Sequence, residues 1–134
     1  MLNLLKRKKI KLKTILIVDD EPDIRSMISF RLEHNNYKTL TAENGKQALE
    51  IAQKTSPDLI LLDTSMPIMD GLQTLEALRS DQNLRNIKVI MVTALAEANN
   101  ITAASALGVS DYVTKPFDFA ELLKKIESLF SDNN

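Results

Sequence analysis

Two adjacent acids, Asp19 and Asp20, stand where the apolar run Ile15-Leu16-Ile17-Val18 ends. Side by side at the end of a buried strand they repel each other, and desolvation penalises both, so a cation or a hydrogen-bond network has to compensate them. A hard divalent metal is the obvious candidate. Two more apolar runs end in the same way: Leu59-Ile60-Leu61-Leu62 leads to Asp63, and Val89-Ile90-Met91-Val92 leads to Thr93. A fourth, shorter stretch, Tyr112-Val113, leads through Thr114 to Lys115 and Pro116. If the four strands lie parallel, three carboxylates, one hydroxyl and one ammonium converge on one edge of a sheet.

The elements that must position these groups are legible from Thr14 onward, where apolar runs alternate with amphipathic stretches, the order of a parallel sheet with helices on both faces. The first strand runs from Thr14 to Val18. A helix starts near Pro22, where the missing N–H of proline costs nothing, and carries Ile24, Met27, Ile28, Phe30 and Leu32 until Asn35-Asn36 ends it. Tyr37 to Thr41 forms the second strand, and Asn44-Gly45 opens a helix with Ala48, Leu49, Ile51 and Ala52. The third strand, before Asp63, is apolar on consecutive residues and so is buried on both faces. Residues 64–71 form a loop closing at Gly71, followed by a helix bearing Leu72, Leu75, Ala77 and Leu78. Lys88 to Val92 is the fourth strand. A weakly amphipathic helix from Asn99 to Leu107 stops at Gly108, a residue suited to a left-handed C-terminal position. Asp111 to Val113 is the fifth strand, and Asp118 can cap a last helix carrying Leu122, Leu123, Ile126, Leu129 and Phe130. The expected fold is α/β, a flavodoxin-like doubly wound (βα)5 layout with a five-stranded parallel sheet in the order 2-1-3-4-5. Ligands of such sheets sit beyond the carboxyl ends of the strands, where all the singled-out groups fall.

The 134 residues suit one domain, 44% hydrophobic and 26% charged, with no cysteine and hence neither disulfides nor a thiolate metal site. No run approaches the roughly 20 apolar residues of a membrane span, and a cytoplasmic protein is expected. The net charge of −1 conceals a basic leader: Lys6, Arg7, Lys8, Lys9, Lys11 and Lys13 precede any acid, leaving 11 basic against 18 acidic residues, a formal charge of −7, for the rest. The expected organisation is a leader over 1–13, one domain over 14–130 and a frayed end over 131–134.

Val18-Asp19-Asp20-Glu21-Pro22, Asp63 followed by Met66-Pro67-Ile68-Met69-Asp70-Gly71, Val92-Thr93-Ala94 and Lys115-Pro116-Phe117 together resemble, in order and spacing, the receiver domain of two-component response regulators. The resemblance covers Thr14 to Phe130, and with no output-like sequence following, it is to the stand-alone, single-domain type. It implies that Asp63 is phosphorylated by a histidine kinase or a histidine phosphotransfer protein of a phosphorelay. Asp19, Asp20, Asp63 and the backbone carbonyl of Ser65 would then hold Mg2+, with Mn2+ a possible substitute. Thr93 would hydrogen-bond the phosphoryl group, Lys115 would pair with it, and Tyr112 stands at the position of the switch aromatic. The implied function is a phosphorylation-activated switch, not an enzyme beyond self-phosphorylation and autodephosphorylation. Its changing face, made by the fourth helix, fifth strand and fifth helix, would regulate a downstream protein, as a monomer or a phosphorylation-dependent dimer, with no direct DNA binding. Ser65 and Leu95, two residues past Asp63 and Thr93, would border the path of the hydrolytic water.

Other readings meet specific obstacles. An aspartyl-nucleophile phosphatase of the haloacid dehalogenase type carries a second acid two residues after its nucleophile, where this chain has Ser65. A nucleotide or flavin module would need a glycine-rich phosphate loop, and Gly45, Gly71 and Gly108 form none. Met66 and Met69 read as loop packing, and His34, the only histidine, as a partner for a helix C-terminus.

Overall fold

The computed structural model describes residues 11–94 and 100–131. Five strands alternate with five helices: β1 (Thr14–Val18), α1 (Pro22–Glu33), β2 (Lys38–Ala42), α2 (Gly45–Thr55), β3 (Leu59–Asp63), α3 (Gly71–Ser80), β4 (Lys88–Ala94), α4 (Asn100–Ala106), β5 (Asp111–Lys115) and α5 (Phe119–Ser131). The strands form one parallel sheet in the order β2-β1-β3-β4-β5, so the expected doubly wound fold is the observed one. The expected basic leader lies, through residue 10, outside the described residues, as do Leu95, the start of the fourth helix at Asn99 and the chain end after Ser131.

Alternation within the strands sorts the core into two layers. Leu16, Val18, Ile60, Leu62, Val89 and Met91 face one side and pack with Ala48 and Ala52 of α2, Leu75 and Leu78 of α3, and Ala104 of α4. Ile15, Ile17, Leu59, Leu61, Ile90 and Val113 face the other, against Ile28 and Leu32 of α1 and Phe119, Leu122 and Ile126 of α5. Each buried Leu or Ile side chain contributes roughly 1.5–3 kcal/mol by leaving water, so the central strands are the rigid platform from which the polar strand ends project.

Four strands have bounds that differ from those read in the sequence. β3 takes in Asp63, which pairs with Val92. β4 continues past Val92 through Thr93 and Ala94, and β5 past Val113 through Lys115, because Thr93 pairs with Thr114 and Ala94 with Lys115. β2 is displaced by one residue, since Lys38 is the residue that registers with Thr14. The polar groups at these ends thus belong to the ladder, which fixes their direction. Gly108 is left-handed (φ 74°), as its place after α4 suggested, and Asp118 caps α5 through a bond from the Ala120 N–H to its Oδ1 at 3.1 Å. Residue 70 does more than end a loop: Asp70 and Gln73 form a capping box, each side chain accepting from the other's backbone N–H at 2.8 and 3.0 Å.

One arginine ties distant segments together. Arg79, in the last turn of α3, donates to the carbonyls of Leu107 (2.7 Å), Arg85 (3.0 Å), Ile87 (3.0 Å) and Gly108 (3.1 Å). It thereby satisfies exposed carbonyls at the end of α4 and in the segment before β4. Burial lowers its pKa, a cost the four carbonyl dipoles offset.

Candidate functional site

Register brings the acids together. Val18 pairs with Leu62, so Asp19 and Asp63 leave β1 and β3 at the same level. Both are buried, at 3% exposure, among strand ends that exclude water. Lys115, the last residue of β5, reaches across β4 and places its Nζ 3.2 Å from Asp19 Oδ2 and 3.3 Å from Asp63 Oδ1. The peptide bond after it, to Pro116, is cis.

Electrostatics follow from this geometry. Burial, and then the charge of Asp19, push the Asp63 carboxyl up from an ordinary 3.8 to about 6, against the opposing pull of Lys115 and of the Ser65 N–H, which donates to Asp63 Oδ1 at 3.4 Å. Burial pulls the Lys115 ammonium down, but Asp63 and Asp19 outweigh it and leave its pKa raised. Asp63 therefore has a large unmet demand for positive charge.

The chain turns sharply after Asp19. The Glu21 N–H donates to Asp19 Oδ1 at 2.9 Å, and Arg25 of α1 donates to the Asp19 carbonyl at 2.7 Å. This turn gathers one carboxylate oxygen each from Asp19, Asp20 and Glu21 within 4.8 Å of one another, Asp19 buried and the other two exposed. Glu21 is the member that the sequence reading left out as a ligand. Its signal was its place directly before Pro22, as the extended N-cap residue of α1 (φ −93°, ψ 113°). An all-oxygen donor set carrying this much negative charge fits a hard divalent cation such as Mg2+ and offers nothing to soft metals.

The remaining expected groups have contacts of their own. Thr93 is 1% exposed; its Oγ1 donates to the Ala94 carbonyl at 3.2 Å and accepts from Thr64 Oγ1 at 3.3 Å. Thr64, directly after Asp63 and 5% exposed, was missed because a hydroxyl at a strand exit reads as loop polarity. Tyr112 is 38% exposed. Ser65 is exposed, and Leu95 lies outside the described residues. Gly71 closes the loop above Asp63: its N–H donates to the Thr64 carbonyl at 3.0 Å, and a Cβ there would come within 2.7 Å of Thr64 Cα. His34 sits at the end of α1 with its Nδ1 2.9 Å from the Phe30 carbonyl, and Met66 is packed into the core.

A buried carboxylate with a raised pKa, an ammonium held against it and an adjoining oxygen cage can bind a phosphoryl group and a divalent cation together. Comparison with known proteins agrees. The family model for the response regulator receiver domain matches residues 15–127. The chain is 42% identical over 117 residues to the phosphate regulon transcriptional regulatory protein PhoB of Pseudomonas aeruginosa, covering 87% of this chain and 51% of that one. It is 42% identical over 108 residues to the regulatory protein AtoC of Escherichia coli, covering 81% and 23%. The chain thus spans about half the length, or less, of these curated relatives. Among solved structures it is similar to the chemotaxis response regulator CheY4 of Vibrio cholerae (TM-score 0.82, 31% identity, 88% of this chain and 98% of that one). It is also similar to the receiver domain of the Francisella response regulator 1452 (TM-score 0.82, 34% identity, 91% and 99%). The chain belongs to the response regulator receiver domains of two-component signalling, a regulatory family of phosphorylation-dependent switches rather than of catalytic enzymes.

Proposed function

We propose that this chain accepts a phosphoryl group on Asp63 from the phosphohistidine of a histidine kinase or of a histidine phosphotransfer protein, and that the modified protein presents an altered α4-β5-α5 face to a downstream protein. The observation that carries this reading is the placement of Lys115 Nζ between the buried carboxylates of Asp19 and Asp63, at 3.2 and 3.3 Å. It leaves Asp63 an oriented nucleophile beside a fixed positive charge.

Asp19, Asp20, Asp63 and the Ser65 backbone carbonyl would hold Mg2+ or Mn2+, with Glu21 within 4.8 Å of Asp19 and Asp20 as a further oxygen donor. Bound there, the ion supplies charge that neutralises the oxygens of the transferring group. The protein's own residues do the rest. A carboxylate oxygen of Asp63 attacks phosphorus while the P–N bond to the donor imidazole breaks, and the imidazole leaves with the electron pair. Lys115 moves its pairing from the Asp63 carboxylate to a phosphoryl oxygen. Thr93 turns its hydroxyl from the Ala94 carbonyl toward another. The acyl phosphate later returns to carboxylate by attack of water on phosphorus, past exposed Ser65, with release of inorganic phosphate.

The phosphoryl group adds up to about two negative charges and three strong acceptors. Drawing Thr93 toward it frees space beneath the end of β4, into which the exposed Tyr112 can turn. The output surface then differs between the two states, and a partner shifts the equilibrium by its differential affinity for them. A cytoplasmic location and action through protein contact complete the proposed picture. No helix among the described residues is long and apolar enough to cross a membrane.

The test is intact-protein mass after incubation with acetyl phosphate, with and without magnesium, for the wild type and Asp63→Asn. A single phosphoryl adduct requiring both the metal and Asp63 is expected. An adduct of equal yield on Asp63→Asn would refute the assignment.

A further inference from the structure

We propose that Thr64 is a positioning residue for the switch: its hydroxyl holds the Thr93 hydroxyl in the resting position and so sets how readily Thr93 turns to the phosphoryl group. The inference rests on the role proposed above for Thr93 and deepens it. Thr64 is fixed on both sides by its backbone. Its N–H donates to the Val92 carbonyl at 3.1 Å, extending the pairing of β3 with β4, and its carbonyl accepts from the Gly71 N–H at 3.0 Å. The side chain has little freedom at 5% exposure, and its Oγ1 donates to Thr93 Oγ1 at 3.3 Å.

A hydroxyl has one proton and two acceptor sites. In the resting protein the Thr93 proton goes to the Ala94 carbonyl at 3.2 Å, and one acceptor site takes the Thr64 proton. Reorientation of Thr93 toward Asp63 exchanges the Ala94 bond for one to a phosphoryl oxygen. The Thr64 bond is different in kind, because it acts on the oxygen itself and opposes any displacement of it. The two hydroxyls also connect the residue next to the phosphoacceptor with β4, the strand that β5 and Tyr112 pair with: Met91 lies opposite Tyr112. Loss of the bond to Thr93 weakens the hold on the resting position and matters less in the phosphorylated state, where Thr93 has already turned away. For one neutral hydrogen bond the shift is about threefold to tenfold in the ratio of switched to resting molecules.

Valine matches threonine in shape and lacks the donor. The full chain, labelled at tyrosine rings and threonine methyls, is followed by NMR before and after acetyl phosphate and magnesium, with adduct occupancy read by intact mass. The variants are Thr64→Val, Thr64→Ser and Thr93→Ala, with Thr64→Ala as a second donor-free variant in case the valine protein does not fold. Expected is a switched-to-resting ratio for Tyr112, at matched adduct occupancy, about threefold to tenfold higher in the donor-free variants than in wild type. Thr64→Ser, which keeps the donor, returns it toward wild type. A merely structural role would lower the urea midpoint without moving this ratio. Donor-free variants with the wild-type ratio, in a series where Thr93→Ala uncouples Tyr112, would overturn the role of Thr64 and leave that of Thr93 standing. A Tyr112 response unchanged in Thr93→Ala would overturn both.

Discussion

The raised pKa of Asp63 is a statement about stability, and Asp63→Asn in metal-free buffer reads it directly. In the unfolded chain this carboxyl ionises near 3.8, and in the folded protein near 6. Between those values the native state binds more protons than the unfolded state, so its stability falls as pH rises through the window. The loss is complete above the folded pKa. A shift of roughly two units at about 1.4 kcal/mol per unit makes the ionised Asp63 a cost of about 3 kcal/mol at pH 8. Asparagine keeps the shape and never ionises. With EDTA present, Asp63→Asn should therefore be more stable than wild type by about 3 kcal/mol at pH 8 and by nothing below pH 3.8. At an m-value of about 1.5 kcal/mol/M, the urea midpoints differ by about 2 M at pH 8 and converge on acidification. Acids remote from Asp63 contribute equally in the two proteins and cancel. Saturating magnesium should close part of the gap by stabilising the wild type, by roughly 1.4–2.7 kcal/mol at ten to a hundred times its dissociation constant. A difference that stays flat with pH, or a less stable Asp63→Asn at pH 8, would refute the reasoning.

Three further substitutions test how the site is held. Lys115→Met leaves Asp19 and Asp63 facing each other without their shared ammonium and should destabilise by about 2–3 kcal/mol at pH 8, a figure reduced for partial exposure of the lysine. The loss should shrink as pH falls to about 6, where Asp63 protonates, and combining it with Asp63→Asn should recover much of it, both read by urea titration. Gly71→Ala drives a Cβ against Thr64 and Asp63 backbone, where no flexible side chain can yield, and should cost about 2–4 kcal/mol while slowing adduct formation on Asp63. Arg79→Met removes four bonds to carbonyls and should cost about 2–3 kcal/mol, with hydrogen-exchange protection lost first around Leu107 to Val109.

The parts of the site that sequence made legible are those written in local pattern. An apolar run followed by an acid announces a strand end, and parallel pairing brings Asp19 and Asp63 level by register alone. The sheet order and the two-layer core follow from the alternation of strands and helices. The strand ends at Thr93 and Lys115 were read too short because polar residues continued the ladder there, where pairing to a neighbour overrides composition. Glu21 entered the acid cluster through a turn whose direction is set by Asp19 accepting the Glu21 N–H, a bond no spacing rule reports. Thr64 and Thr93 are 29 residues apart and meet only because β3 and β4 are neighbours. Arg79 takes its carbonyl partners at Leu107 and Gly108 from 28 and 29 residues away, and nothing in its own helix distinguishes it from a solvated cation.

The most direct test of the site is chemical mapping of the acceptor. The protein is phosphorylated with acetyl phosphate and magnesium, treated with borohydride, which reduces an acyl phosphate to an alcohol, digested and sequenced by mass. Homoserine at position 63, absent without magnesium, is the expected result. Homoserine at Asp19, Asp20 or another acid, with position 63 still aspartate, would contradict the assignment of Asp63 as the phosphoacceptor.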